Sequence, residues 1–311
     1  MNNPVDQIKL YEHQRIFNEI VNLFISKKLP NKILLSGSKG CGKATLSYHF
    51  INYAFSINEK NPYNIKTNEI NIENASFKLI RNGSHPNFHL IDLMDDKKNI
   101  EISQTREMIN YINKSSFNEK PKIILIDNVE NLNKNSLNSL LKVIEEPNIN
   151  VYFILIHDSN KKLFDTLRSR CLLFKVNQSY EQKIDITNKL LNDNLHDLVS
   201  DDFINYYFAP GDYIKLIDFS KECKIDLTKF NLAQFLNFLI IEKHYKKNDF
   251  IKSFIFILIE LYFFKIIKSA INKKNAINLY SKFIYKINDT LKFNLDHETL
   301  FLEFKSKILN E

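Results

Sequence analysis

The chain has 311 residues, 44% of them hydrophobic and 25% charged, with a formal net charge of +7. Five glycines, seven prolines and 13% aromatic residues exclude a collagen-like or disordered chain, and the length calls for two or three domains. The positive charge is weak support for a nucleic-acid footprint, because lysine supplies all but five of the 43 basic residues and, like the abundant Asn, Ile, Phe and Tyr, is encoded by A/T-rich codons.

The opening Met1-Asn2-Asn3-Pro4-Val5-Asp6 lacks the basic-then-apolar order of a secretory leader, so an intracellular, cytoplasmic chain is expected. From there, short apolar runs alternate with helical patterns. Ile33-Leu34-Leu35, Phe88-His89-Leu90-Ile91, Ile123-Ile124-Leu125-Ile126, Val151 to Ile156 and Leu172-Leu173-Phe174 read as strands of a parallel sheet buried on both faces. Leu137, Leu140, Leu141 and Ile144 mark an amphipathic helix that Pro147 stops. Strands alternating with helices predict an α/β domain with right-handed crossovers.

After Val176 the strand pattern disappears and helices follow, with turn signals at Pro210-Gly211 and around Asn272 to Asn275. The predicted division is an α/β domain over 1–176, a small helical unit over 177–222 and a larger helical bundle over 223–311. Phe235, Phe238, Leu239, Leu300, Phe301 and Phe304 form apolar stripes in that bundle. The strongest apolar run, Phe254 to Phe264, is interrupted by Glu260 and followed by Lys265, so it reads as a buried helix rather than a membrane span. Cys41, Cys171 and Cys223 are odd in number and widely separated, which supplies neither a disulfide framework nor a zinc-binding pair, and no metal site is expected.

The chemistry-bearing motifs follow the strands. Gly37-Ser38-Lys39-Gly40-Cys41-Gly42-Lys43-Ala44-Thr45 stands between the first strand and a helix and matches G-x-x-x-x-G-K, the loop whose backbone N–H groups cradle phosphates while Lys43 reaches them. Ala44 stands where a hydroxyl should meet Mg²⁺, and Thr45, one helical step on, is turned about 100° away. Asp127 ends the third strand, as a metal-side carboxylate should. Asn128 follows where an active ATPase places a glutamate, and an amide cannot take a proton from water. Glu130 would share the face of Asn128 if the strand continued; otherwise it is a capping or surface acid of the following turn. Ser169-Arg170-Cys171 precedes the last strand, and an arginine in so lysine-rich a chain suggests a need for its planar five-donor fork; a plain surface or fold-internal pairing role is the alternative.

Leu29-Pro30, Gly83-Ser84-His85-Pro86, Leu140-Leu141-Lys142 with Glu145-Glu146-Pro147, and Ser169-Arg170-Cys171, in that order, resemble the delta-prime family of subunits of the bacterial DNA polymerase III clamp loader. The likeness covers about residues 10 to 176; beyond 180 it extends only to helical character and length. It implies an α/β P-loop AAA+ domain with a parallel five-stranded sheet in the order 5-1-4-3-2, a helical lid over 177–222 and an all-α collar over 223–311 that assembles a ring. It also implies that Arg170 enters the ATP site of a neighbouring motor subunit, as a catalytic arginine finger in trans. The candidate nucleotide site comprises Gly37, Gly40, Gly42, Lys43, Thr45 and Asp127, with ATP binding weak or vestigial and no zinc, since no cysteine lies between Cys41 and Cys171. No arginine follows Arg170, so the lid offers no sensor arginine to nucleotide.

The expected protein is therefore a largely non-hydrolysing clamp-loader subunit of the DNA-directed DNA polymerase III holoenzyme. Its expected partners are the gamma/tau motor and delta subunits, the sliding clamp and primed DNA, with no membrane. An active AAA+ motor subunit using Lys43 and Asp127 is the alternative, opposed by Ala44, Asn128 and the missing zinc cysteines. A DNA-binding module resting on scattered lysines is a third reading, and no helix-turn-helix or stacking motif supports it.

Overall fold

Apolar residues that alternate along a strand must be covered on both sides if both sets are apolar. In the computed structural model, which describes residues 3–94, 97–114, 120–146, 150–269, 273–293 and 295–309, this requirement is met by helices on either face of one sheet. Strands β1 (Lys32–Gly37), β2 (Phe88–Ile91), β3 (Lys122–Ile126), β4 (Val151–Asp158) and β5 (Leu172–Lys175) pair in parallel in the order β2-β3-β4-β1-β5. Read from the other edge this is 5-1-4-3-2, as the family resemblance implied.

On one face Ile33, Leu35, Ile123, Leu125, Ile154 and Ile156 pack with α1 (Gln14–Ile25) and α2 (Lys43–Ser56). On the other, Leu34, Ile124, Ile126, Phe153 and Leu155 meet α4 (Ile102–Asn113), α5 (Lys134–Glu145) and α6 (Asp165–Arg168). Helix α3 (Ala75–Arg81) joins the first core through Phe77 and Ile80. Burial on both faces holds for β1, β3 and β4 but not for the edges. Leu90 in β2 is 44% exposed and Leu172 in β5 is 36% exposed, because an edge strand has a neighbour on one side only. Helix α5 ends at Glu145 as expected; Pro147, to which the stop was attributed, lies outside the described residues.

The segment linking α2 to α3 is held by polar contacts. Glu59 accepts from the Ser76 backbone N–H at 3.2 Å and from its hydroxyl, and pairs with Lys120 at 2.9 Å. Asn74 caps α3 through the Phe77 N–H at 2.7 Å and donates to the Asn61 carbonyl at 2.7 Å.

From Tyr180 onward every described element is a helix: α7 (Tyr180–Leu191), α8 (Leu195–Leu198), α9 (Pro210–Cys223), α10 (Leu232–Ile241), α11 (His244–Lys247), α12 (Asp249–Ser269), α13 (Lys273–Phe293) and α14 (His297–Phe304), with short tight turns between them. Pro210-Gly211, read from sequence as a turn, is the first turn of α9, where proline's missing N–H costs nothing. Two compact units result: Met1–Leu190 with Phe208–Ile214, and Leu191–Tyr207 with Lys215–Glu311. The second unit is built on α12, whose Phe254, Ile255, Leu258, Ile259 and Phe263 are buried; the Phe263 ring lies 5.6 Å from those of Tyr280 and Phe283 and 5.8 Å from that of Phe304. Phe235, Leu239, Leu300, Phe301 and Phe304 are core residues as expected, whereas Phe238 is half-buried. Among the described residues no helix is long and apolar enough to cross a membrane.

Candidate nucleotide site

The loop between β1 and α2 depends on glycine at three points for different reasons. A Cβ on Gly37 would lie 2.1 Å from the Val176 carbonyl oxygen, a backbone atom that cannot swing aside. Gly40 and Gly42 have φ of 80° and 88°, the left-handed region that a side chain disfavours. Gly42 then caps α2, whose first N–H groups receive no side-chain cap and remain available to an anion. Lys43 is only 6% exposed, and its ammonium donates to the Gly37 and Ser38 carbonyls at 2.9 and 2.6 Å, folded back over the loop. Ala44 packs against the first core and contributes no hydroxyl, while Thr45 is half-buried in the same turn. Cys41 is sealed within the loop, 1% exposed, with Sγ 3.6 Å from the Val176 carbonyl and its thiol pushed up by burial.

Three contacts that sequence reasoning missed grip this loop from outside. His13 Nε2 donates to the Cys41 carbonyl at 2.7 Å, and the Gln178 amide donates to the same oxygen at 3.1 Å. A carbonyl only accepts, so Nε2 carries the proton; burial lowers the His13 pKa and keeps the ring neutral. Glu12 and His13 hold φ of 56° and 60°, two successive left-handed residues that turn the chain into α1, and Glu12 accepts from Gln182 at 3.0 Å. Gly211, in the first turn of α9, donates its N–H to the Gly40 carbonyl at 3.3 Å; a Cβ there would meet the Gly40 Cα at 3.2 Å. These partners are 28, 137 and 171 residues apart in the chain, and no local pattern announces them.

Asp127 leaves the end of β3, and Asp92 leaves the end of β2 beside it, the strands being in register through Ile91 and Ile126. Burial, then the Asp92 charge, pushes the Asp127 carboxyl up to about 6, against the pull of the Asn128 N–H and of Lys43. Tyr48 of α2 feels the same two carboxylates and, chiefly through burial, is raised to about 12. The Asn128 amide donates to Asp92 at 2.7 Å, so the residue standing where a base would be expected is tied to a second acid. A signal for Asp92 was present: like Asp127, it is an aspartate directly after a run read as a strand, Phe88 to Ile91.

Glu130 does not continue the strand. Asn128 adopts φ 54°, the chain enters a single tight turn over Val129–Asn131, and the Glu130 carboxylate accepts from the Asp158 N–H at the end of β4 at 3.2 Å. It also faces Lys161 at 3.5 Å with its side chain 1% exposed, so it is an acid of the turn but a buried one, not a surface one. Gly37, Gly40, Gly42, Lys43 and Asp127 therefore converge, whereas Arg170 is bonded elsewhere. Its Nε donates to Glu145 at 2.8 Å, Nη2 lies 2.7 Å from the same carboxylate oxygen, and Nη1 donates to the Thr166 carbonyl at 2.8 Å. Among the described residues no group of three or more His, Cys, Asp or Glu is arranged to hold a metal ion.

A parallel sheet in the order 5-1-4-3-2, with a P-loop between β1 and α2 and an acid at the end of β3, defines the AAA+ class of P-loop domains. Within that class, the family described as DNA polymerase III, delta subunit, matches residues 12–179, more than half of the chain, and the chain belongs to that family. It is similar to DNA polymerase III subunit delta' of Buchnera aphidicola subsp. Baizongia pistaciae, with 31% identity over 167 residues, covering 51% of this chain and 48% of the relative. Subunit delta' of B. aphidicola subsp. Schizaphis graminum is 29% identical over 185 residues, 59% of this chain and 53% of the relative. The chain thus spans about half the length of these curated relatives. Among solved structures, a DNA polymerase III gamma subunit-related protein from Thermotoga maritima aligns over 86% of this chain and 75% of its own, at 16% identity and a TM-score of 0.39.

Proposed function

We propose that this chain is a delta-prime-like subunit of a DNA polymerase III clamp loader. In that reading it is largely non-hydrolysing, assembles with gamma/tau motor and delta subunits through its helical region (lid 177–222, collar 223–311), and helps to load the sliding clamp onto primed DNA. The observation that carries this reading is a separation. The chain's own nucleotide site lacks a hydroxyl in the phosphate loop, at Ala44, and a base after β3, at Asn128, while Arg170 stands 39% exposed on the α/β unit with partners outside that site.

The loop residues fit a nucleotide's phosphates as a cradle. Gly37, Gly40 and Gly42 keep the backbone open, and Lys43 would have to leave the Gly37 and Ser38 carbonyls to reach a phosphate, which makes binding weaker than in a loop whose lysine is free. Asp127, raised beside Asp92, would be relieved by an accompanying cation, but Ala44 offers that cation no hydroxyl. Bound ATP would supply charge to be held, and Asn128, standing where an active ATPase places its water-activating acid, carries an amide that cannot take a proton.

The test is ATP turnover, first by the isolated chain and then by a loader reconstituted with the other subunits. The isolated chain should be inactive within error, and Arg170→Ala should leave assembly intact while lowering DNA-stimulated turnover and clamp loading. Arginine fingers in GTPase systems contribute roughly 10³ to 10⁵ in rate, and a ring with several sites loses only one interface's share. Arg170→Lys should be nearly as damaging, since an ammonium lacks the planar fork. Turnover by the isolated chain at motor rates, abolished in Lys43→Ala, would make it a motor subunit instead.

A further inference from the structure

Arg170 lies between two fixed points, α6 ending at Arg168 and β5 beginning at Leu172. Its side chain is 39% exposed, and that of Glu145, the last residue of α5, is 53% exposed. Despite this open setting the guanidinium plane is tied at two places by two elements. The Nε edge sits on Glu145 Oε1, at 2.8 Å from Nε and 2.7 Å from Nη2, and Nη1 bonds the Thr166 carbonyl of α6 at 2.8 Å. A guanidinium carries five N–H donors; Nε and one N–H on each terminal nitrogen face these two oxygens, which leaves two, one on Nη1 and one on Nη2.

We propose that Glu145 is a positioning residue for Arg170: it orients the fork so that the terminal N–H groups are presented, already ordered, to the γ-phosphate of a nucleotide on an adjacent subunit. This rests on the arginine-finger reading above. An untethered arginine has several rotatable bonds to freeze as the phosphate arrives, and that entropy loss would weaken stabilisation in the transition state. The same exposure that makes the pair nearly worthless to folding leaves the effect to be read at the neighbour's site.

The proposal is tested in the reconstituted loader with Glu145→Ala, Glu145→Gln, Arg170→Ala and the double variant Glu145→Ala/Arg170→Ala. Glu145→Ala should lower the DNA-stimulated kcat about two- to five-fold, the scale of one exposed charged contact, with KM for ATP unchanged. Glu145→Gln, which keeps an acceptor oxygen, should retain most of the rate, and the double variant should be no slower than Arg170→Ala. A Glu145→Ala ring at or above the wild-type rate, or a double variant slower than Arg170→Ala alone, would overturn the proposal while leaving the finger reading standing. An Arg170→Ala ring with wild-type turnover would overturn the finger reading itself. On the isolated full chain, the Arg170 Nε–H NMR signal should be resolved in the wild type and in Glu145→Gln and broadened by solvent exchange in Glu145→Ala; equal signals in all three would show that Glu145 does not hold the guanidinium, whatever the ring does.

Discussion

Asp127 carries the clearest consequence at the scale of single residues. Its carboxyl is raised to about 6 by burial and by Asp92, so the native state favours its protonated form. The sign follows: below the ordinary carboxylate pKa the group costs nothing, the cost grows as pH climbs toward 6, and it is fully present above that. Asp127→Asn keeps the acceptor for the Asn128 N–H and removes the charge. It should therefore raise the unfolding free energy by about 1 to 3 kcal/mol at pH 8 and leave it nearly unchanged at pH 4, measured by denaturant titration. A gain of the same size at both pH values would mean that the charge is not the cause. Gly37, Gly42, Lys43 and Asp127 were legible because a phosphate loop and a strand-end acid are local patterns. His13, Gln178 and Gly211 were not, because what they touch is fixed by chain return rather than by spacing. Glu130 was left between two readings by the sequence because the left-handed Asn128 that ends the strand leaves no mark on periodicity.

Among the elements, the strands were read correctly because nearly continuous apolar runs of three to six residues between turn signals have few other uses. The two edge strands were over-buried in that reading, since composition does not say which strand lies outermost. The link from α2 to α3 is one stretch that sequence left blank, and a polar staple organises it. Burial works against the charge on Glu59, but bonds from Ser76 and Lys120 outweigh it and hold the carboxyl below its usual range. Glu59→Gln should cost about 1 to 2 kcal/mol near neutral pH, the worth of charge-assisted bonds in a partly screened site. Because the native pKa is depressed, that difference is present above the ordinary carboxylate range and should fade as pH falls below it. Urea titrations of both proteins at pH 7 and pH 3 check this; a deficit persisting undiminished in acid would assign the loss to packing.

Across the whole molecule, the helical unit leaves several large apolar side chains exposed. Tyr206 is 71% exposed, Tyr285 73%, Phe293 61%, Phe264 53% and Leu302 53%. Helical character here was legible from periodicity, whereas which stripes remain outside depends on how the helices pack, and no single helix specifies that. Removing residues 223–311 would be a poor probe of assembly, because it strips Phe235 from Phe203 and Phe219, rings 5.3 and 6.3 Å away within the same core. Tyr285→Glu combined with Phe293→Glu changes only exposed positions. It should leave circular dichroism and melting unchanged while weakening co-purification with the other subunits at least about tenfold, the effect of burying unpaired charge in an interface. Wild-type association would move the assembly surface elsewhere.

The sealing of Cys41 also sets how the intact chain meets thiol reagents. Alkylation requires a thiolate and a path to it; burial raises all three thiols, Cys171 to about 11, but Cys41 is sealed from solvent whereas Cys171 and Cys223 are partly exposed. A maleimide or an oxidant thus marks the rim of the sheet and the end of α9 before it can mark the phosphate loop. Labelling of Cys41 then becomes a native clock, running only in the moments when that loop comes open.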